Sequence, residues 1–313
     1  MLRRTLLKES IAGSAAIALP ALAQLRGLVI GQSAAFTGPA AQLGIQMNAG
    51  AKLWFDQVNA AGGINGHQLE LRTADDGYEP DRCKANTEKF IRDEVFALLG
   101  YVGTPTCAAA LPLINEERIP FFGPFTGAEI LREPFSRPVF HLRASYYDET
   151  ELIVKQLTSL GLNRIAVFYQ NDAFGLAGLA GVEAALAKRN LKLAARGSYE
   201  KGSEDVTKAV ASINQGAPQA IVMIAVMRPA AAFVREYRRQ DNGAQIFSIS
   251  VINGPDLFAL AGGTAARGVG ITQVVPSPVR GTQKVVVEYR EALRKYAPQA
   301  QPSYTSFEEY LGA

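Results

Sequence analysis

Gly27-Leu-Val-Ile-Gly-Gln-Ser-Ala-Ala-Phe-Thr-Gly-Pro-Ala-Ala-Gln-Leu-Gly44 is the stretch on which the fold turns. Leu28 to Ile30 is a short apolar run rich in β-branching, the pattern of a strand buried on both faces. A loop of small and hydroxyl residues follows, Ser33 to Gly38. Pro39 then opens a helical pattern in which Ile45, Ala49, Lys52, Leu53 and Asp56 separate apolar from charged groups. Proline suits a first helical turn, where its missing N–H would have no partner. A strand that runs into a helix N-terminus directs backbone N–H groups beyond the strand's carboxyl end. Open α/β sheets bind their ligands there. From this stretch alone, a ligand loop and an ordinary βα turn are equally good readings.

Outward from it, the pattern repeats. His67–Ala74 reads as a strand reached through the Gly62–Gly66 turn, Pro80–Asp93 as a helix, and Val95–Tyr101 as a strand. Thr106–Asn115 reads as a helix, Ile119–Phe122 and Val139–Leu142 as short strands, and Tyr147–Leu160 as a helix. The strand Arg164–Tyr169 again meets a polar loop, Gln170–Gly175, and a helix over Leu176–Lys188. The second half therefore restarts the pattern of the first. Leu191–Gly197, Ala220–Ala225 and Gln245–Ser250 supply further strands, with helices at Glu204–Asn214 and Pro229–Gln240 between them. Alternating strands and helices imply an α/β fold of two doubly wound parallel-sheet lobes with a cleft between them.

Residues 1–23 read as an export signal peptide: a basic head at Arg3 and Arg4, an apolar middle from Ile11 to Leu22, and an Ala21-Leu-Ala23 cleavage site. The apolar part is too short to span a bilayer. Arg3-Arg-Thr-Leu-Leu-Lys8 also resembles a twin-arginine motif, so the route stays open. Cleavage removes Arg3, Arg4, Lys8 and Glu9 and lowers the net charge from +3 to about +1. A nearly neutral chain has no electrostatic footprint for nucleic acid or an anionic membrane. A mature chain of about 290 residues exceeds one typical core and suggests two domains.

Cys83 and Cys107 are the only cysteines. Export favours a disulfide between them. It would close a loop of about 25 residues, for a chain-entropy contribution of roughly 3 kcal/mol. Two cysteines are poor material for zinc, which takes four ligands in structural sites, and no metal or cofactor is expected. No G-x-S-x-G elbow, P-loop, H-E-x-x-H or G-x-G-x-x-G after the first strand is present. His67 lies in a glycine-rich turn, and His141 reads as a structural histidine in a strand. Asp75-Asp76 at a strand end reads as a turn and helix cap before it reads as an acid–base pair. The chemistry is binding and not turnover.

Five segments in register then carry a resemblance: Ala34–Gly44, Asn59–Gly66, Asp75–Arg82, Gly100–Thr106 and Tyr169–Gly175. Together with the export signal, the chain from Leu25 onward is similar to the type I periplasmic binding proteins of the leucine/isoleucine/valine group. These deliver solutes to ABC importers. The resemblance implies two lobes joined by three crossovers, 24–143 with 276–313 and 144–275, closing on a small-molecule ligand. It implies an ABC permease as partner, a periplasmic location and a monomer. It places Gly103 N–H and the Thr104 hydroxyl on a ligand carboxylate, adds Phe125 and Thr126 from the next loop, and sets Phe174 and Met227 on the opposite side; without the resemblance, Phe125, Phe174 and Met227 read as core residues. Tyr146 offers a hydroxyl near the crossover, and Leu43 stands where relatives often carry an aromatic lid.

Two departures shape the expectation. Amino-acid-binding relatives usually place an acidic residue in the loop after the second-lobe strand, in the stretch Ile246–Gly254, where this chain has Val251 and Ile252. A carboxylate without a free ammonium, such as an aromatic or oxo acid, is therefore favoured over an amino acid, with Asp172 near Phe174 as the acid that could substitute. The last helix, with Thr305 and Glu308 in capping-box spacing, stops after two turns where relatives continue, so the C-terminal part is expected to be truncated. A soluble ligand-sensing module and a secreted α/β enzyme are the alternative functions. The enzyme would need a nucleophile and base or a dinucleotide loop, and the sequence shows neither.

Overall fold

The computed structural model describes residues 27–240 and 242–313. The proposed signal peptide lies outside the described residues.

The chain builds two parallel five-stranded sheets. The first contains β1 (Leu28–Ala34), β2 (Leu69–Asp75), β3 (Ala97–Leu99), β4 (Phe121–Phe122) and β5 (Val139–Phe140), in the order β2-β1-β3-β4-β5. Its helices are α1 (Ala41–Ala60), α2 (Pro80–Arg92) and α3 (Thr104–Glu117). The chain crosses to α4 (Tyr146–Ser159), β6 (Ile165–Gln170), α5 (Ala173–Ala187), β7 (Ala195–Tyr199), α6 (Thr207–Gln215), β8 (Ala220–Ile224) and α7 (Met227–Arg239). It continues through β9 (Gln245–Ser248), α8 (Gly254–Ala261), α9 (Gly263–Ala266) and β10 (Gly270–Ile271). The second sheet has the order β10-β9-β8-β6-β7. Read from its other edge, this is the strand order of the first sheet, with β6 in the place of β1. Each sheet therefore has its switch point, between β1 and β3 and between β6 and β8, where the connections leave to opposite sides and open a crevice.

After β10 the chain returns. α10 (Lys284–Tyr296) and α11 (Tyr304–Gly312) pack against α1, where Leu53, Val286, Tyr289, Phe307 and Tyr310 form one buried cluster. Every residue of the central strand β8 is buried, as expected where helices cover both faces.

Differences from the sequence reading have local causes. The strand expected at Leu191–Gly197 runs instead over Ala195–Tyr199: Asn190 takes a left-handed φ of 55°, and the following residues connect as a loop with Leu191 and Leu193 half-buried against the core. The capping box expected of Thr305 and Glu308 is not formed. Ser303 caps α11 by accepting from Ser306 N–H, and Glu308 is drawn elsewhere by a buried arginine. A capping box does form at α4, where Ser145 and Asp148 bond reciprocally.

The expected disulfide is also corrected: Cys83 and Cys107 are free and fully buried. Both lie in the core beneath α2 and α3. Cys107 Sγ bonds the Tyr101 carbonyl oxygen at 3.6 Å, and Cys83 has the Ser33 and Thr87 hydroxyls beside it. Burial pushes both thiols up, so they pack as protonated, small apolar groups.

Asp75 holds the first loop in place. Its carboxylate accepts from Thr37 Oγ1 at 2.6 Å and from the N–H groups of Phe36 at 2.8 Å, Gly77 at 2.9 Å and Thr37 at 3.2 Å. Burial alone would raise its pKa, but these bonds outweigh it and bring it to about 2. Its contribution to stability is in place above about pH 4 and is lost as pH falls toward 2. The Asp75–Asp76 pair thus builds a turn.

Glu309 on α11 is 1% exposed, and its Oε1 has no hydrogen-bond partner. Burial, and behind it the charge of Glu308, push its pKa well above the ordinary carboxylate value. The folded protein then retains a proton that the unfolded chain releases, so stability falls as pH rises above about 4. Glu309→Gln is expected to be more stable than the parent at pH 8, with the advantage disappearing near pH 4. Equal differences at the two pH values, in urea melts, would contradict this.

Candidate functional site

The two switch points face one another across a narrow cavity. Its wall consists of Leu43, Tyr78, Val102, Gly103, Phe125, Tyr146, Phe174, Val226 and Val251. Most follow the carboxyl ends of strands: Tyr78 after β2, Val102 and Gly103 after β3, Phe125 after β4, Phe174 after β6, Val226 after β8 and Val251 after β9. Its volume is only about 10 Å³, far below the roughly 300–1,000 Å³ typical of ligand pockets, so the walls stand almost in contact and a ligand enters only when they part.

Of the residues singled out in the sequence, Gly103, Phe125, Tyr146 and Phe174 meet on this wall. Tyr146 and Phe174, both from the second half, pack edge to face at 5.6 Å. Thr104 and Thr126 are fully buried and do not line the cavity. Their hydroxyls bond each other at 2.7 Å, with the Tyr146 hydroxyl within reach of Thr126. Met227 faces the adjoining space with Gln42 and Gln46, which shares Leu43, Val226 and Val251 with the first cavity. The Gly103 N–H, expected to be open to a ligand, donates to the Phe125 carbonyl at 3.3 Å.

The helix starts differ in a way the sequence did not disclose. α3 begins after Gly103 and α7 after Val226, both residues of the cavity wall, and neither start has a side-chain cap. Each helix start carries partial positive charge that favours an anion. α5 is different. Asp172 caps it by accepting from Phe174 N–H at 3.0 Å and Gly175 N–H at 3.1 Å, and its other oxygen accepts from Gln170 Nε2 at 2.6 Å. Tyr199 completes this cluster, donating to Gln170 Oε1 at 2.9 Å and accepting from Val226 N–H at 3.0 Å. Asp172→Ala is expected to destabilise the fold by about 1–2 kcal/mol, the usual loss for a helix cap. A thermal melt unchanged from the parent would contradict that.

Sequence reasoning missed Tyr78, Val102 and Val226. Tyr78 has a left-handed φ of 67°, and its ring occupies the space a side chain would need at Gly103: a Cβ there would lie 2.3 Å from the ring. Its hydroxyl lies among Gln170, Asp172 and Tyr199 of the second half. Beside it, Lys201 and Glu79 form an ion pair at 2.8 Å between the two halves. The positive φ has no sequence signal, since tyrosine rarely adopts it. His141 bonds the Leu131 carbonyl through Nε2 at 3.0 Å, away from this cavity.

Two like-ordered parallel sheets that face a shared cavity with their strand carboxyl ends define the type I fold of bilobal solute-binding proteins. The comparisons agree. A family model described as periplasmic binding protein matches residues 27–313. A crystal structure of a possible leucine/isoleucine/valine-binding protein from Rhodopirellula baltica SH 1 superimposes with a TM-score of 0.88 at 34% identity, covering 92% of this chain and 79% of that one. An amino acid binding protein of Pseudomonas aeruginosa is 25% identical over 269 residues, 84% of this chain and 71% of its own length. A solute-binding protein of an ABC transporter from R. palustris, solved in complex with benzoate, shares the fold, with a TM-score of 0.80 at 18% identity over 91% of this chain and 78% of that one. The chain belongs to the type I periplasmic binding proteins of the Leu/Ile/Val-binding family, the solute-binding components of ABC transporters. It is a binding protein and not an enzyme.

Proposed function

We propose that the protein captures a small carboxylate without a free ammonium, an aromatic or branched oxo acid, between its two halves and delivers it to an ABC permease outside the cytoplasm. The observation that carries this reading is the pairing of two uncapped helix starts, at α3 and α7, with a cavity wall that bears no acidic side chain among the described residues. The carboxylate is received at the start of α3, near the Thr104 backbone and the Thr104–Thr126 hydroxyl pair. Tyr78, Phe125, Tyr146 and Phe174 surround the organic part, with Met227 at its edge. An ammonium would meet Val226 and Val251, which offer no side-chain acceptor. Asp172 is occupied by its cap and by Gln170, and Asp256, on the adjoining space beside Met227, accepts from Asn253 Nδ2 at 2.9 Å.

The division into 24–143 with 276–313 and 144–275 is supported by the two sheets and by the return of α10 and α11 to α1. The known ligands on this fold, benzoate in one relative and amino acids in another by their names, leave the choice to the wall residues. Isothermal calorimetry on the purified protein tests it with benzoate, 4-methyl-2-oxopentanoate and leucine. At least one deaminated acid is expected to bind at micromolar concentration or tighter, with leucine weaker. Tight binding of leucine with none of either acid would sink the proposal.

A further inference from the structure

Arg143 stands where the chain passes from β5 to α4, with a side chain that has no solvent exposure. Its guanidinium gathers segments distant in sequence. Nε and Nη2 donate to the two oxygens of Glu308 on α11, at 2.8 and 3.1 Å. Nη2 also donates to Ser250 Oγ at 3.1 Å, just beyond β9, and the guanidinium carbon lies 4.0 Å from the centre of the Phe125 ring. Ser250 is held in turn by Glu149 on α4, whose oxygens accept from Ser250 N–H at 2.8 Å, Ser250 Oγ at 3.0 Å and Thr272 Oγ1 at 2.5 Å. Thr272 lies where the chain leaves β10 to return to the first half.

The network thus joins two of the connections between the halves and touches two walls of the cavity. Phe125, from the first sheet, is under the guanidinium. Val251, from the second, is the neighbour of Ser250. Resting on the carboxylate reading of that cavity, we propose that Arg143 is a positioning residue that sets the closed separation of these two walls, without itself reaching the ligand. A forked guanidinium–carboxylate pair holds a defined geometry. Separation of the halves would draw Ser250 beyond hydrogen-bonding distance and leave a buried cation with fewer partners.

The test separates closure from stability. Replacing a buried ion pair by apolar side chains of similar size is often neutral for stability, so Arg143→Met with Glu308→Met is expected to melt close to the parent. Its benzoate Kd, measured by calorimetry, is expected to rise at least tenfold. Its radius of gyration by small-angle X-ray scattering is expected to exceed the parent's when benzoate is present. Parent-like Kd and scattering in the folded double variant would overturn the proposal, because a purely structural pair would be replaced without effect. If the double variant does not fold, Ser250→Ala takes its place: a three- to tenfold rise in Kd supports the proposal and an unchanged Kd overturns it. If the parent binds neither benzoate nor 4-methyl-2-oxopentanoate, the carboxylate reading fails. Ligand-free scattering then decides: a shifted distribution in the variants supports the role of Arg143, and curves identical to the parent's overturn it.

Discussion

Val251→Glu is expected to weaken benzoate binding about two hundredfold at pH 8 and to improve leucine binding relative to benzoate. Val251 lines the cavity and is 5% exposed, so a carboxylate placed there would be desolvated beside the ligand's own. Two like charges about 5 Å apart repel by about 3 kcal/mol at an effective dielectric constant of about 20, which is a little over two decades in affinity. The introduced acid can relieve the repulsion by taking up a proton, so the loss should shrink as pH falls toward 5. Val251→Gln, equal in size but uncharged, separates charge from bulk and should lose much less. For an α-amino acid, the same carboxylate supplies the missing acceptor for the ammonium. If Val251→Glu binds benzoate like the parent at pH 8, the anion does not sit near this wall and the assigned site is wrong.

Gly50→Ala is expected to lower stability by about 3 kcal/mol or more, because two helices touch there through their backbones. A Cβ at Gly50 of α1 would sit 2.0 Å from the Ser306 carbonyl oxygen of α11 and 2.9 Å from its carbon. Overpacking a core usually costs about 1–3 kcal/mol. Here the obstacle is a helix backbone, which cannot rotate aside as a side chain would. Moving α11 would disturb Phe307 and Tyr310, which are 0% and 3% exposed, and pull Glu308 from Arg143. At about 2–4 °C per kcal/mol for a domain of this size class, the melting temperature should fall by roughly 6–12 °C. Gly254→Ala is the control. Its Cβ would meet only Ile271 Cδ1, at 3.8 Å, and should leave the melt within a degree or two. A parent-like melt for Gly50→Ala would mean that α11 does not pack against α1 as described.

How far the sequence alone reaches is visible in particular elements. The run Leu28–Ile30, the hydroxyl loop after it and the proline-led helix are legible because strand burial, turn chemistry and helix starts are written in neighbouring residues. The same holds for Ile165–Gln170 with its loop and helix, and hence for the two parallel sheets and the binding class they define. Gly103, Phe125 and Phe174, which the family resemblance singled out, and Tyr146 near the crossover lie on the cavity wall, but local pattern alone would leave the two phenylalanines as core residues. The tertiary structure decided the rest. Thr104 and Thr126 turned to each other behind the wall, and Asp172 was consumed by its own helix. Cys83 and Cys107 are free buried thiols, the first beside the Ser33 and Thr87 hydroxyls and the second on the Tyr101 carbonyl. Arg143 meets Ser250 and Glu308, 107 and 165 residues away. A contact of that kind depends on how two sheets are set against each other, and no periodicity, cap or turn near Arg143 carries a trace of it.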